Sequence, residues 1–354
     1  MKTLYIHIGH YKTGTSAIQK YCAEHAGSLA CNGYYYPMSG RAGGPGTNHA
    51  ALSLSLAAQH GFTPPPWYKG PRDVDEVYNQ FVQEIRDAEQ SNILVSSEEF
   101  FQLALRKKPE AAIAELKSRL EEFDTKIVMY IREPMALLKS WHNEVNKGPF
   151  GTGPFLTFFK NLNPNFLSQV AVYDQFAAAF GSSNIIVRSY KKTGMEHICD
   201  FLEGINYPDL PSDKNPLVVN EAQDINRIEL NRIDKRRKHG HDDVSVSKFG
   251  TVAQLESRID KINASFKKIA DRSDEELTSD LSLFNIISYL RTLLQPLIEQ
   301  NRINPEAASL LRDAALSIEK TDPDLALLMM QTAHEIRPNG DFIKKKLQAY
   351  KSDQ

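Results

Sequence analysis

Cysteine is scarce in this 354-residue chain, and the three present, Cys22, Cys31 and Cys199, form no C-x-x-C pair. That excludes a disulfide-stapled scaffold and fits a reducing compartment, with the thiols as buried, unreactive side chains. Long apolar runs are also missing: nothing approaches the ~20 residues that span a bilayer. The opening "MKTLYIHIGH" carries one lysine and no apolar stretch of signal-peptide length, so a cytoplasmic protein is expected. Neither sign of charge is in excess, with 42 Lys and Arg against 44 Asp and Glu. A net charge of −2 excludes a general nucleic-acid binder while allowing a local basic cleft. The one dense basic run, "KRRKHGH" from Lys235 to His241, reads as a solvated loop or as a patch that steers a polyanion. Histidine and carboxylate spacings make no zinc set, and no metal is expected. What remains, 41% hydrophobic and 24% charged residues, is the make-up of a globular protein large enough for a sizeable core.

Leu4, Ile6 and Ile8 alternate with Tyr5 and His7, a strand that ends at Gly9. From Thr15 the period changes: Ile18, Tyr21, Cys22 and His25 share one face of a helix. Ser39 to Pro71 is rich in Gly and Pro and should be irregular apart from a short helix near Ala50 to Gln59. Strand and helix patterns then alternate: "NILVSS", "PEAAIAELKSRLEEF", "TKIVMYIRE", "PMALLKSWHNEVN", "NIIVRSY" and "GMEHICDFLEG". Such alternation implies an α/β fold, a doubly wound, mostly parallel sheet of the P-loop nucleotide-binding type. Past about Asn220 the strands stop. Ala307, Leu310, Leu311, Ala314 and Ala315 form one helical face, and Leu325, Leu328, Met329, Thr332 and Ile336 another. The expected organisation is a domain over 1–220 and a helical C-terminal extension over 221–354, whose end resembles a degenerate tetratricopeptide unit with Pro338 opening a further helix. One such unit cannot bury its own face, so it packs on the main domain or on a protein partner.

The stretch "HIGHYKTGTSAIQ" places a glycine turn between that first strand and helix, where backbone N–H groups and the helix dipole converge on an anion. In the nucleoside-triphosphate P-loop the lysine follows the last glycine; here Lys12 precedes Gly14 by two residues. Tyr11-Lys12-Thr13-Gly14-Thr15-Ser16 resembles the 5′-phosphosulfate loop of the PAPS-dependent sulfotransferases, close to P-K-[ST]-G-T-[ST], where PAPS is 3′-phosphoadenosine 5′-phosphosulfate. Tyr11 replaces the usual proline. The family's second signature, an arginine at a strand end and a serine eight residues on, both on the donor's 3′-phosphate, is matched by Arg132 and Ser140 in "IREPMALLKSWHNE". "YDQFAAAFGSSNIIVRSYKK" is similar to the stretch in bacterial members that ends in R-x-Y, so Arg188 and Tyr190 lie near the adenosine or serve the fold; Lys191 and Lys192 stand where acidic residues are common. The resemblance covers roughly the first two hundred residues.

It implies transfer of a sulfuryl group from PAPS, without a metal, to an acceptor hydroxyl, most plausibly on a carbohydrate. A transition state of this kind gathers charge on the leaving oxygen, and Lys12 is placed to stabilise it. The acceptor needs a base. "ILVSSEEFF" ends a strand with Glu98 and Glu99, and by resemblance to glycan-directed members Glu98 is favoured, with Glu99 second. Strand alternation would send them to opposite faces, and helix-start glutamates are the plainer alternative. His10 is a donor to the sulfate or a turn residue; His49 is a candidate acceptor contact. Competing classes are a P-loop kinase, which would need lysine after Gly14 and an acidic Mg²⁺ ligand, and a non-catalytic adaptor that binds partners through its helical tail.

Overall fold

The computed structural model describes residues 1–42, 46–147, 158–159, 162–191, 194–211, 252–270, 305–320 and 323–352. The basic run Lys235 to His241 lies outside the described residues, as does most of 212–304. The chain divides into two compact units. One comprises Met1–Glu133, Asn165–Glu221 and Ser265–Thr278; the other comprises Pro134–Pro164, Ala222–Ala264 and Ser279–Gln354. Among the described residues no helix is long and apolar enough to cross a membrane.

The first unit is α/β. Its strands β1 (Thr3–Gly9), β2 (Tyr34–Tyr35), β3 (Asn92–Ser96), β4 (Asp124–Ile131) and β5 (Ile185–Ser189) pair in the order β2-β3-β1-β4-β5, all parallel. From the central β1 the chain passes to one side for β2 and β3 and to the other for β4 and β5. That reversal makes the sheet doubly wound and leaves a crevice at the strands' carboxyl ends.

Side-chain alternation along each strand feeds two separate cores. Leu4, Ile6, Ile8, Ile127, Met129 and Ile131 meet α3 (Ala50–Gln59), α4 (Val74–Asp87), α6 (Pro109–Arg119) and α8 (Gln169–Phe180) on one face. Val128 and Tyr130 meet α1 (Thr15–Glu24), α2 (Ala26–Cys31) and α9 (Gly194–Gly204) on the other. Each fully buried aliphatic side chain contributes about 1.5–3 kcal/mol. Phe266 and Ile269, at the end of α10 (Val252–Ala270), complete the first core.

α4 is not among the elements expected from the sequence, although its signal is present: Asp73 caps it, and Val74, Val77, Tyr78, Phe81 and Ile85 make one buried stripe. The expectation of Glu98 and Glu99 as a strand end also needs correction. β3 stops at Ser96, Ser97 caps the amide of Glu99, and both glutamates stand in the first turn of α5 (Glu98–Leu103).

The second unit holds α7 (Pro134–Lys147), α11 (Pro305–Ile318), α12 (Pro323–Ile336) and α13 (Asp341–Ser352). Leu310, Leu311, Ala314 and Ala315 are buried as their period predicts. In α12 the core face is rotated from the expected one. Ala326, Met329, Met330 and Ala333 are buried, whereas Leu328 is 49% exposed and Thr332 is intermediate. Pro338 does not open the last helix, which begins at Asp341.

Candidate functional site

β1 delivers the chain to the loop at Gly9, and the return is tight. A Cβ at Gly9 would lie 2.5 Å from Thr15 Oγ1 and 2.6 Å from Thr13 Oγ1, so only glycine lets both hydroxyls fold back over the strand end. Two residues adopt left-handed backbone, Lys12 at φ 67° and Gly14 at φ 79°. The turn is closed by the His10 carbonyl, which accepts from Thr13 N–H (3.2 Å) and Thr13 Oγ1 (2.6 Å).

Gly14 then caps α1 with no side chain, and no acidic residue stands in the first turn. In contrast, α4 and α5 take side-chain caps from Asp73 and Ser97. The first helical bond is Ala17 N–H to the Gly14 carbonyl (2.9 Å), and the amides of Gly14, Thr15 and Ser16 take no partner among the described residues. Thr15 Oγ1 is buried with no hydrogen-bond partner among the described residues. Uncapped amides at a helix start carry about half a unit of positive charge, and an unsatisfied buried hydroxyl costs about 1–3 kcal/mol. Uncapped amides and a hydroxyl of this kind can together accept an anion.

Arg132 follows β4 and is fixed from two directions. Its N–H donates to Gln169 Oε1 (2.9 Å) while Gln169 Nε2 returns to the Arg132 carbonyl (2.8 Å). Its guanidinium donates through Nη1 to the Lys12 carbonyl and lies over the Tyr190 ring, 4.4 Å from the centroid. Arg132 Nε is buried and has no hydrogen-bond partner among the described residues. Burial lowers its pKa, opposed by Tyr190 and Glu133. Tyr190 thus stands beside the loop. Arg188 instead makes a buried ion pair: Nε donates to Asp200 Oδ2 (3.1 Å) and Nη2 to Oδ1 (2.6 Å), and Tyr130 Oη donates to the same carboxylate. Ser140 is in α7, in the second unit.

The two glutamates differ sharply. Glu99 is buried and held: Tyr11 Oη donates to its Oε1 (2.9 Å), and Arg106 pairs with its Oε2. Tyr11, at the position where the resembling family has proline, therefore anchors the loop to α5. Glu98 accepts from Gln19 Nε2 (3.0 Å), and burial raises its pKa above the usual carboxylate range, with its own N–H and Gln19 opposing. A carboxylate shifted in that direction is a better proton acceptor near neutrality.

The histidines are mostly absorbed by the fold. His10 is fully buried between the Tyr11 carbonyl (3.0 Å from Nδ1) and the Phe166 carbonyl (2.7 Å from Nε2). His49 faces the Pro37 carbonyl through Nε2 (3.0 Å) and accepts from Ser96 N–H at Nδ1 (3.2 Å), tying the Gly-rich segment to the end of β3. Burial lowers both to a pKa of about 4. His197, on α9, was not a sequence candidate. Its ring edge fills the space of a side chain at position 14: a Cβ there would lie 2.5 Å from His197 Nε2. Gln19, one turn into α1, and Gln169, the first residue of α8, are buried amides that only their tertiary partners mark out.

No family model matches the chain, and no curated protein matches it. Among solved structures, the crystal structure of a sulfotransferase from Alicyclobacillus acidocaldarius aligns with 75% of this chain and 95% of its own, at 14% identity and a TM-score of 0.39. A likeness of that strength carries no argument about function.

Proposed function

We propose that the protein is a sulfotransferase that moves a sulfuryl group from PAPS to an acceptor hydroxyl, a carbohydrate hydroxyl being the acceptor class favoured, in the reducing cytoplasm. The observation that carries this reading is the unfilled anion cradle at the start of α1, with its uncapped amides and buried Thr15 hydroxyl, and Arg132 bonded directly to its backbone. The 5′-phosphate sits on the amides of Gly14, Thr15 and Ser16 and on the Thr15 hydroxyl, which supplies the missing hydrogen bond. Arg132 takes the 3′-phosphate, and Tyr190 packs by the adenosine. Lys12, set ahead of the amide cradle, faces the sulfate end.

In the transfer, the acceptor oxygen forms a bond to sulfur as the bond from sulfur to the bridging oxygen breaks. The acceptor proton passes to Glu98, and the electron pair leaves with the nucleotide, where Lys12 and the loop amides stabilise it. Glu99 is assigned to holding Tyr11 and the loop. His10 and His49, whose ring nitrogens both face backbone groups, take no chemical step. The test is transfer of labelled sulfate from PAPS to a panel of oligosaccharides. Labelled product with the native chain and none with Lys12→Ala supports the reading; equal labelling by both contradicts it.

A further inference from the structure

Gln19 lies one turn into α1, where its neighbours Ile18 and Cys22 are core residues, yet it is a buried amide. An amide there costs free energy unless its N–H groups are matched. Its Nε2 reaches across to the end of β3 and the start of α5, to Glu98 Oε2 at 3.0 Å, with the Ser96 carbonyl at 3.5 Å. The helix that begins in the loop is thereby tied by a side chain to Glu98.

We propose that Gln19 is a positioning residue for Glu98, holding that carboxylate in place and ionised beside the anion loop. This rests on the reading of Glu98 as the acceptor's base. The geometry has a directional sense: an NH₂ donor binds a carboxylate and gains much less from the protonated acid, so it selects the form able to take a proton. Around Glu98, Gln19 comes from α1, Glu99 from the same turn of α5, Tyr11 from the loop and Tyr36 from the segment after β2. None of the other three is a cation, which leaves the Gln19 amide and the Glu98 N–H as the groups favouring the charged state.

The test uses the full chain with ¹³Cδ-labelled glutamate, Glu98→Gln identifying the resonance. In Gln19→Met, near in volume and without a donor, the Glu98 midpoint moves upward and turnover at neutral pH falls roughly tenfold or more, recovering as pH rises. The stabilisation by 3′-phosphoadenosine 5′-phosphate stays as in the native chain. An unmoved midpoint, or a nucleotide response lost in step with turnover, overturns the proposal. The exchange Gln19→Glu with Glu98→Gln keeps the hydrogen bond, and so the fold, but moves the carboxylate onto α1; it is expected to lose turnover, and retained turnover also overturns the proposal. Should the native chain ignore the nucleotide, the sulfotransferase reading fails while the carboxyl titration still decides the Gln19 coupling.

Discussion

Gly14 is the residue with least freedom to change. Its φ of 79° is a left-handed conformation, and the His197 ring occupies the place of a Cβ. Gly14→Ala adds roughly 1–2 kcal/mol of backbone strain and displaces the His197 ring or the loop. It should abolish nucleotide binding at micromolar concentrations by calorimetry, and unchanged affinity would contradict the geometry. Arg132→Ala removes a charged hydrogen bond and should weaken nucleotide binding by about 1.5–3 kcal/mol. Lys12→Ala should reduce turnover more than binding, because its charge partner develops in the transition state. The loop's turn was legible in the sequence because its backbone dictates glycine at position 14. A left-handed cap requires glycine and an anion requires donors, whereas Gln19, Gln169 and His197 earn their roles from neighbours 37 to 183 positions away, which no local pattern records.

At the scale of elements, the boundary between β3 and α5 decides what Glu98 and Glu99 do. With both in a helix's first turn, they lie about 100° apart rather than on opposite faces, and Tyr11 and Arg106 claim only Glu99. Glu99→Gln leaves Arg106, whose side chain is 10% exposed, without its counter-charge and should destabilise the fold by about 3–5 kcal/mol in urea denaturation. Glu98→Gln should leave stability nearly unchanged and remove turnover.

A second consequence concerns pH. His7, His10, His49 and His197 are buried, and burial lowers them to a pKa of about 3 for His7 and about 4 for the others. Between about pH 6.5 and about pH 4 the unfolded chain binds more protons than the folded one at these sites, so stability falls as pH falls through that window. Glu98, raised in the fold, contributes with the opposite sign, one group against four. Urea midpoints measured from pH 7 to pH 4 should decline, less steeply in His49→Gln.

For the whole molecule, the order of strands and helices was readable because each period, two or 3.6, survives in the parts that line the two cores. The rotated face of α12 was not readable, since leucine and alanine both satisfy a helical period and only the packing partner selects between them. The sheet sets Gly9, Ser96, Ile131 and Ser189 at one end, and the loop, Glu98, Arg132 and Tyr190 follow from those four strand ends. On that convergence rests the proposal that the loop and Arg132 bind a nucleotide bearing a 3′-phosphate. It is tested most directly by thermal unfolding of the full chain in metal-free buffer with 3′-phosphoadenosine 5′-phosphate, and separately with ATP and Mg²⁺. The first should raise the midpoint strongly, by the mass-action shift of a ligand far above its Kd, and the second should do little. Equal shifts with both ligands, or none with the first, would contradict the account.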